Sequence, residues 1–312
     1  MLEYYGQSPI IVRSSSLLED GFGNAFTGKY DSVFCTNQGS PRERLQAFLD
    51  AVRSIYASTM GEEALRYRDN RGLLDRDEQM ALLVQRVSGA VQGRYFYPHV
   101  AGVALSYNPY RWNAAIDPEA GMVRLVFGLG TRAVDRVDDD YTRIVALNAP
   151  QMRPETSQDH AAEYAQRRVD VLDLAQDRIA PVGLADVLRE SPGLPVDLFA
   201  SQDPDQPKAP PVLTFGRLLT STAFVKEMRS LLSTLRDAYW YPVDVEFTAN
   251  FRADGQFRLN VVQCRPLQVK EGGLIEPPPV SLPDASLLLV SGGPVVGQST
   301  STSVDRLVLV DP

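Results

Sequence analysis

The sequence predicts an α+β fold in which mainly antiparallel sheets are flanked by helices. Three observations carry that expectation. Strand-like runs at residues 80–87, 101–107, 122–127 and 141–147 follow one another without long helices between them, which argues against a doubly wound sheet. Two stretches, one opening at Ser40 and one over residues 222–238, repeat apolar residues at helical spacing. The third is residues 239–266, YWYPVDVEFTANFRADGQFRLNVVQCRP, which reads as a hairpin whose two arms alternate with a period of two.

Taken in order, Ile10-Ile11-Val12 reads as a strand that delivers Arg13 at its end. Three serines, Glu19-Asp20 and the glycines Gly21, Gly23 and Gly28 follow in an irregular segment. A glycine-rich loop can bring backbone N–H groups against phosphate oxygens, although the same residues write any surface loop, and neither the P-loop nor the dinucleotide pattern is matched. Residues 30–34 return to a strand. Ser40-Pro41-Arg42-Glu43 is a capping box with proline at the first helical position. Leu45, Phe48, Leu49, Val52, Ile55 and Tyr56 then form a core stripe, and residues 62–68 make a further short helix.

The strand at 80–87, MALLVQRV, carries Gln85 near its end, and Asn108-Pro109 and Gly128-Leu129-Gly130 punctuate the strands that follow. Asp138-Asp139-Asp140 reads as a solvated loop, because consecutive residues there point different ways. Residues 159–168 and 184–189 are expected helices, 169–174 a strand, and 202–211 a loop. The helix at 222–238 places Phe224, Val225, Met228, Leu231, Leu232 and Leu235 on one stripe and feeds the hairpin. Two units are expected: residues 1–270, and a linker with the start of a further domain over 271–312, opened by Gly272-Gly273 and Pro277-Pro278-Pro279.

Composition limits the function. A chain of 312 residues, 44% hydrophobic, can bury a sizeable core in more than one lobe. A net charge of −8 gives nucleic-acid binding no general electrostatic support. There is no apolar run near the roughly 20 residues that span a bilayer, and no signal-peptide core. Cys35 and Cys264 are too few for a disulfide framework, so a reducing cytoplasm is the expected setting. His99 and His160 read as ordinary structural or surface residues.

The hairpin is where residue types converge. Asp254-Gly255 predicts a two-residue turn with Ala253 opposite Gln256. Glu246 then falls opposite Gln263, and Asp244 opposite Arg265, with Cβ atoms roughly 5 Å apart. On the other arm Leu259, Val261, Gln263 and Arg265 alternate with Asn260, Val262 and Cys264. A solvated sheet face with one ion pair would look the same. Glu246 beside neutral Gln263, however, offers two oxygen donors of the kind a hard cation takes alongside phosphate, and Arg265 offers a planar fork for the phosphate itself.

Three segments in fixed order are similar to one family. They are VRSSSLLED (12–20) with FTGKY (26–30), MALLVQRV with the later AGVALSYNP, and VDVEF followed by VQCRPL. Over residues 9–267 they resemble the nucleotide-binding domain of phosphoenolpyruvate synthases and pyruvate phosphate dikinases, a two-lobed ATP-grasp-like domain that antibiotic and glucan dikinases also resemble. The resemblance implies an Mg-ATP-binding module. It would pass phosphate to a histidine on a separate domain, with a pyruvate-like acceptor beyond and no nucleic acid or membrane partner. It implies that Arg13 contacts phosphates, that Gln85 and the backbone of Arg86 and Val87 receive adenine, and that Glu246 and Gln263 hold Mg²⁺. Arg265 holds phosphate, and Asp244 matches an acid near the nucleotide. Arg13 and Arg265 are the expected catalytic residues.

The sequence also departs from the pattern. No lysine lies among the first eleven residues, where the family carries a phosphate-binding one; GLGE reads GLGT, with Thr131 for the acid; and neither histidine sits in a phosphohistidine motif. The alternative is a nucleotide-sensing or scaffold module that keeps the fold without transfer.

Overall fold

A computed structural model describes residues 2–267 apart from 17, 19–27, 111, 135–139, 155–161, 203–209 and 253, together with residues 283, 303, 305, 306 and 308. Strand β1 (Ile10–Ser16) is the middle of a three-stranded antiparallel sheet, between β2 (Ser32–Cys35) and β3 (Met80–Arg86). The three serines thus continue the strand and do not open the loop. Alternation in β1 divides its residues between two faces. Ile10 and Val12 are fully buried against Ala51 and Ile55 of helix α2 (Pro41–Ser58), while Ile11 and Arg13 face the opposite side.

Helix α2 begins with the expected capping box: Glu43 N donates to Ser40 Oγ at 3.3 Å and Ser40 N to Glu43 Oε2 at 2.8 Å. Its buried stripe is narrower than expected. Phe48, Val52 and Ile55 pack inward, but Leu45, Leu49 and Tyr56 are exposed, because among the described residues α2 rests on one small sheet with no second layer above it. Short helices α1 (Leu2–Tyr5) and α3 (Glu62–Asn70) complete this unit.

The larger sheet has the order β14-β13-β6-β7-β8, every pair antiparallel: β6 (Val100–Leu105), β7 (Met122–Val126), β8 (Arg143–Ala146), β13 (Val243–Phe251) and β14 (Phe257–Pro266). Gly102 in β6 is required by close approach, since a Cβ there would lie 2.0 Å from the Arg124 carbonyl oxygen. Helix α8 (Phe224–Tyr239) covers one face with Phe224, Met228 and Leu232 buried and Val225, Leu231 and Leu235 packed beside them. Burying each of the first three contributes about 1.5–3 kcal/mol. The helix stops where Trp240 takes a left-handed conformation at φ 56°, and Pro242 then cannot continue it.

A third sheet, β10-β9-β5-β4, was not fully foreseen. Strand β9 (Arg168–Asp173) lies where a strand was expected, but β4 (Ala90–Gln92), β5 (Tyr95–Tyr97) and β10 (Arg178–Gly183) are additional. The expected helix at 159–168 falls partly outside the described residues, and Arg168 already belongs to β9. Shorter pieces are α4 (Thr131–Val134), α5 (Leu184–Glu190), α6 (Val196–Phe199), β11 (Ala200–Ser201), β12 (Val212–Leu213) and α7 (Gly216–Ser221), and Val187, Phe199, Leu213 and Leu218 among them join the main core.

His99 is buried and structural: its Nδ1 accepts the Phe251 N–H at 3.0 Å, and Gln92 Nε2 lies 3.3 Å from its Nε2. His160, residues 203–209 of the loop expected at 202–211 and nearly all of 271–312 lie outside the described residues. Cys35 and Cys264 are free thiols. Among the described residues no helix is long and apolar enough to cross a membrane.

Candidate functional site

A cleft of about 780 Å³ lies between the small sheet and the polar face of β13 and β14. Strand β13 builds its floor by strict alternation. Val243, Val245, Phe247, Ala249 and Phe251 are buried in the main core, which leaves Asp244, Glu246, Thr248 and Asn250 on the other face.

The hairpin has the expected partners at the site and a different route to them. Asp244 pairs with Arg265 and Glu246 with Gln263, but Phe247 pairs with Val261 and Phe251 with Phe257. The turn is one residue longer than the sequence suggests: Arg252 N donates to Gln256 O at 2.7 Å and Gly255 N to Arg252 O at 3.0 Å, with Gly255 at φ 82°. Arg252, not Ala253, therefore lies opposite Gln256. A β-bulge between Glu246 and Phe247 on the β13 side leaves Val262 as the extra residue on β14 and restores the register. It also overturns the expected grouping on β14. Leu259 and Cys264, an odd number of positions apart, both pack on the core, so Leu259 does not share a face with Gln263 and Arg265.

Charged groups meet across the cleft. Arg13, delivered by β1, donates from Nη1 to Glu246 Oε2 at 3.1 Å and from Nη2 to Gln263 Oε1 at 2.7 Å. Arg265 Nε donates to Asp244 Oδ2 at 3.1 Å, and its Nη2 lies 3.8 Å from Glu246 Oε1. All these ion-paired side chains are 16–18% exposed, shielded enough for the pairs to act at reduced dielectric. Burial raises the Asp244 carboxyl above the usual carboxylate range, against the pull of Arg265. Asp244 Oδ1 is buried without a hydrogen-bond partner.

Of the eight residues singled out from sequence, Arg13, Gln85, Arg86, Val87, Glu246, Gln263 and Arg265 line the cleft. Asp244 does not; it sits behind Arg265 and holds it. Gln85 Nε2 donates to the carbonyl of bulge residue Val262 at 3.3 Å. A carbonyl can face only the NH₂ end of the amide, so Gln85 Oε1 remains an acceptor, and it has no partner.

Other cleft residues escaped the sequence reading. Thr248, Asn250 and Asn260 extend the polar row, with Ser88 Oγ taking Asn250 Nδ2 at 3.3 Å and Asn260 Nδ2 at 3.0 Å. Continuing the alternation past Glu246 would have found the first two. Beside the cleft, Thr131 Oγ1 donates to Asp170 Oδ2 at 2.7 Å, and Arg132 bridges Asp170 at 2.9 Å and Asp140 at 2.6 Å. Asp140 is 7% exposed, so it is a buried anchor and not the solvated residue expected. Asp138 and Asp139 lie outside the described residues.

Among the described residues no group of three or more His, Cys, Asp or Glu side chains forms a metal site. The Glu246–Gln263 pair nonetheless suits a hard cation that brings other oxygens with it, and a guanidinium already sits against both donors.

Comparison with known proteins agrees with this architecture. The chain is 24% identical over 256 residues to rifampicin phosphotransferase of Streptomyces sviceus, an alignment covering 82% of this chain and 23% of the relative. The chain thus spans about a quarter of that protein's length. The family "Pyruvate phosphate dikinase, AMP/ATP-binding domain" matches residues 1–277. The chain belongs to that family and is an ATP-binding module of it.

Proposed function

We propose that the cleft binds Mg-ATP and that the chain is the nucleotide-binding part of a phosphotransferase, passing the phosphoryl group to a histidine carried on a separate domain. The observation that carries this reading is the convergence of Arg13, from one sheet, on the Glu246–Gln263–Arg265 face of another. Gln85 Oε1 and the Arg86–Val87 backbone lie at one side of the cleft, where they would receive the adenine.

Each residue has a distinct task in this reading. Glu246 and Gln263 hold the metal. Arg13 and Arg265 bind phosphate oxygens through planar guanidinium forks and oppose the charge that develops as the phosphoryl group leaves. Asp244 fixes the orientation of Arg265 from behind. Mg²⁺ held by these residues would neutralise phosphate charge. His99 is buried, which withholds it from transfer, and the reading gives the accepting histidine to the separate domain. The final acceptor is a pyruvate-like acid or a molecule such as the rifampicin of the relative's name.

A second reading, a nucleotide sensor without transfer, is favoured by Thr131: its hydroxyl is spent on Asp170 and offers the cleft no carboxylate. Isothermal titration with ATP, with and without Mg²⁺, tests the site. Binding should tighten with the metal, and Glu246→Ala should remove about tenfold or more of that affinity while leaving metal-free binding within about twofold. Metal-dependent binding that survives Glu246→Ala would sink the assignment. Transfer of label from γ-³²P-ATP to a supplied phosphohistidine domain separates enzyme from sensor.

A further inference from the structure

The two oxygens assigned above to the metal are already bridged by a cation of the chain's own. Arg13 reaches Glu246 Oε2 at 3.1 Å and Gln263 Oε1 at 2.7 Å, one nitrogen to each. The second carboxylate oxygen of Glu246 faces Arg265 Nη2 at 3.8 Å, so both oxygens of Glu246 lie against guanidinium groups. Asp244 is turned to Arg265 and does not approach Arg13 in any described contact. Among the described residues Arg13 and Arg265 thus offset Glu246 and Asp244, with Arg124 also acting on Asp244, and a bare divalent cation meets no net attraction from these groups.

We propose that Arg13 is a resident stand-in for the divalent cation at the Glu246–Gln263 pair, so that metal enters only once nucleotide phosphates have drawn Arg13 away. The inference rests on the reading of Glu246 and Gln263 as metal ligands. A guanidinium and a divalent ion compete for these two oxygens, because Arg13 already takes the acceptor positions the ion needs and its charge repels the ion. Arg13 is suited to the exchange. Its planar fork fits phosphate as well as it fits the carboxylate–amide pair, and a polyphosphate offers more charge than Glu246 does. The arrangement has two effects. Before nucleotide binds, it keeps the shielded Glu246 carboxylate paired, which avoids an uncompensated charge. It also makes cation binding conditional on nucleotide, so that free metal does not load the site ahead of its substrate.

The test is Mn²⁺ uptake by the full chain, read from loss of the free-ion electron paramagnetic resonance signal. With the Mn²⁺ taken up by the analogue alone subtracted, wild type should bind Mn²⁺ at least about tenfold more weakly alone than with a non-hydrolysable ATP analogue, and Arg13→Met should gain about tenfold or more in nucleotide-free affinity. Equal nucleotide-free affinity in wild type and Arg13→Met overturns the proposal. If uptake with the analogue is unchanged in Glu246→Gln, the metal-ligand reading falls and this inference falls with it. Glu246-dependent uptake without a gain in Arg13→Met removes this inference alone. Should Arg13→Met fail to fold, the wild type still decides. The Arg13 side-chain ¹⁵Nε resonance, assigned with Arg13→Lys, should shift when ADP is added in excess EDTA, and an unmoved resonance overturns the exchange.

Discussion

Replacing Arg265 with alanine is an obvious way to test phosphate binding, and the structure predicts that it will damage the fold as well. Arg265 Nε supplies the hydrogen bond to Asp244 Oδ2, and Asp244 Oδ1 has no partner. Arg265→Ala therefore strands a carboxylate that is 17% exposed. Leaving one member of a buried ion pair alone costs about 3–5 kcal/mol, and the residual solvent contact lowers the expectation to roughly 2–4 kcal/mol. Adding Asp244→Asn removes the stranded charge and should recover about half of that loss. The pH dependence has a definite sign. Burial already raises the Asp244 carboxyl in the folded state, and losing Arg265 raises it further. The folded state then holds a proton that the unfolded chain releases, so stability falls as pH rises through the raised value and returns on acidification. Urea denaturation of the two single variants and the double variant, at pH 7 and pH 5, measures all of this. A loss in Arg265→Ala below about 1 kcal/mol, or one that is the same with Asp244→Asn present, would refute the reasoning.

Two other predictions concern the scaffold. Gly102→Ala places a methyl group 2.0 Å from the Arg124 carbonyl oxygen and 3.1 Å from the Phe247 ring, so β6 must part from β7. The cost should exceed about 3 kcal/mol, seen as loss of soluble folded protein or a collapsed urea midpoint. Burial depresses the His99 imidazole below its ordinary value of 6.5, and the Phe251 N–H needs Nδ1 unprotonated. The unfolded chain therefore binds the extra proton first. The His99 contribution is fully present above about pH 6.5 and is lost on acidification with a slope of up to about 1.4 kcal/mol per pH unit. His99→Asn, whose side-chain oxygen can accept the same N–H, should flatten that part of the stability–pH curve, and an unchanged curve would show that another group titrates.

Much of the site was legible because alternation in β13 is strict and a hairpin brings its arms together whatever closes it. The agreement at Glu246–Gln263 and Asp244–Arg265 nevertheless arose from two compensating departures, a turn one residue longer than Asp254-Gly255 suggests and the extra residue Val262. Consecutive Val261 and Val262 were the available sign that alternation breaks there. Strands β4 and β5 escaped because three residues are too few for periodicity to register, and Tyr95-Phe96-Tyr97 is buried throughout. Asp140 escaped for another reason. A run of three acids reads as solvated until a partner such as Arg132 is known to be within 2.6 Å, and that proximity is tertiary.

Strand β13 is at once the wall of the main core and the floor of the cleft, one residue in two serving each. Substitutions scanned along it should produce two interleaved phenotypes. Changes at Val245, Phe247 and Ala249 should lower the amount of folded chain. Changes at Glu246 and Thr248 should leave abundance near normal and alter ligand response. A chain that loses its substrate can thus drift at Glu246 and Thr248 and still fold, whereas Asp244 stays tied to Arg265, so relatives with an inactive cleft and an intact core lie a short mutational distance away.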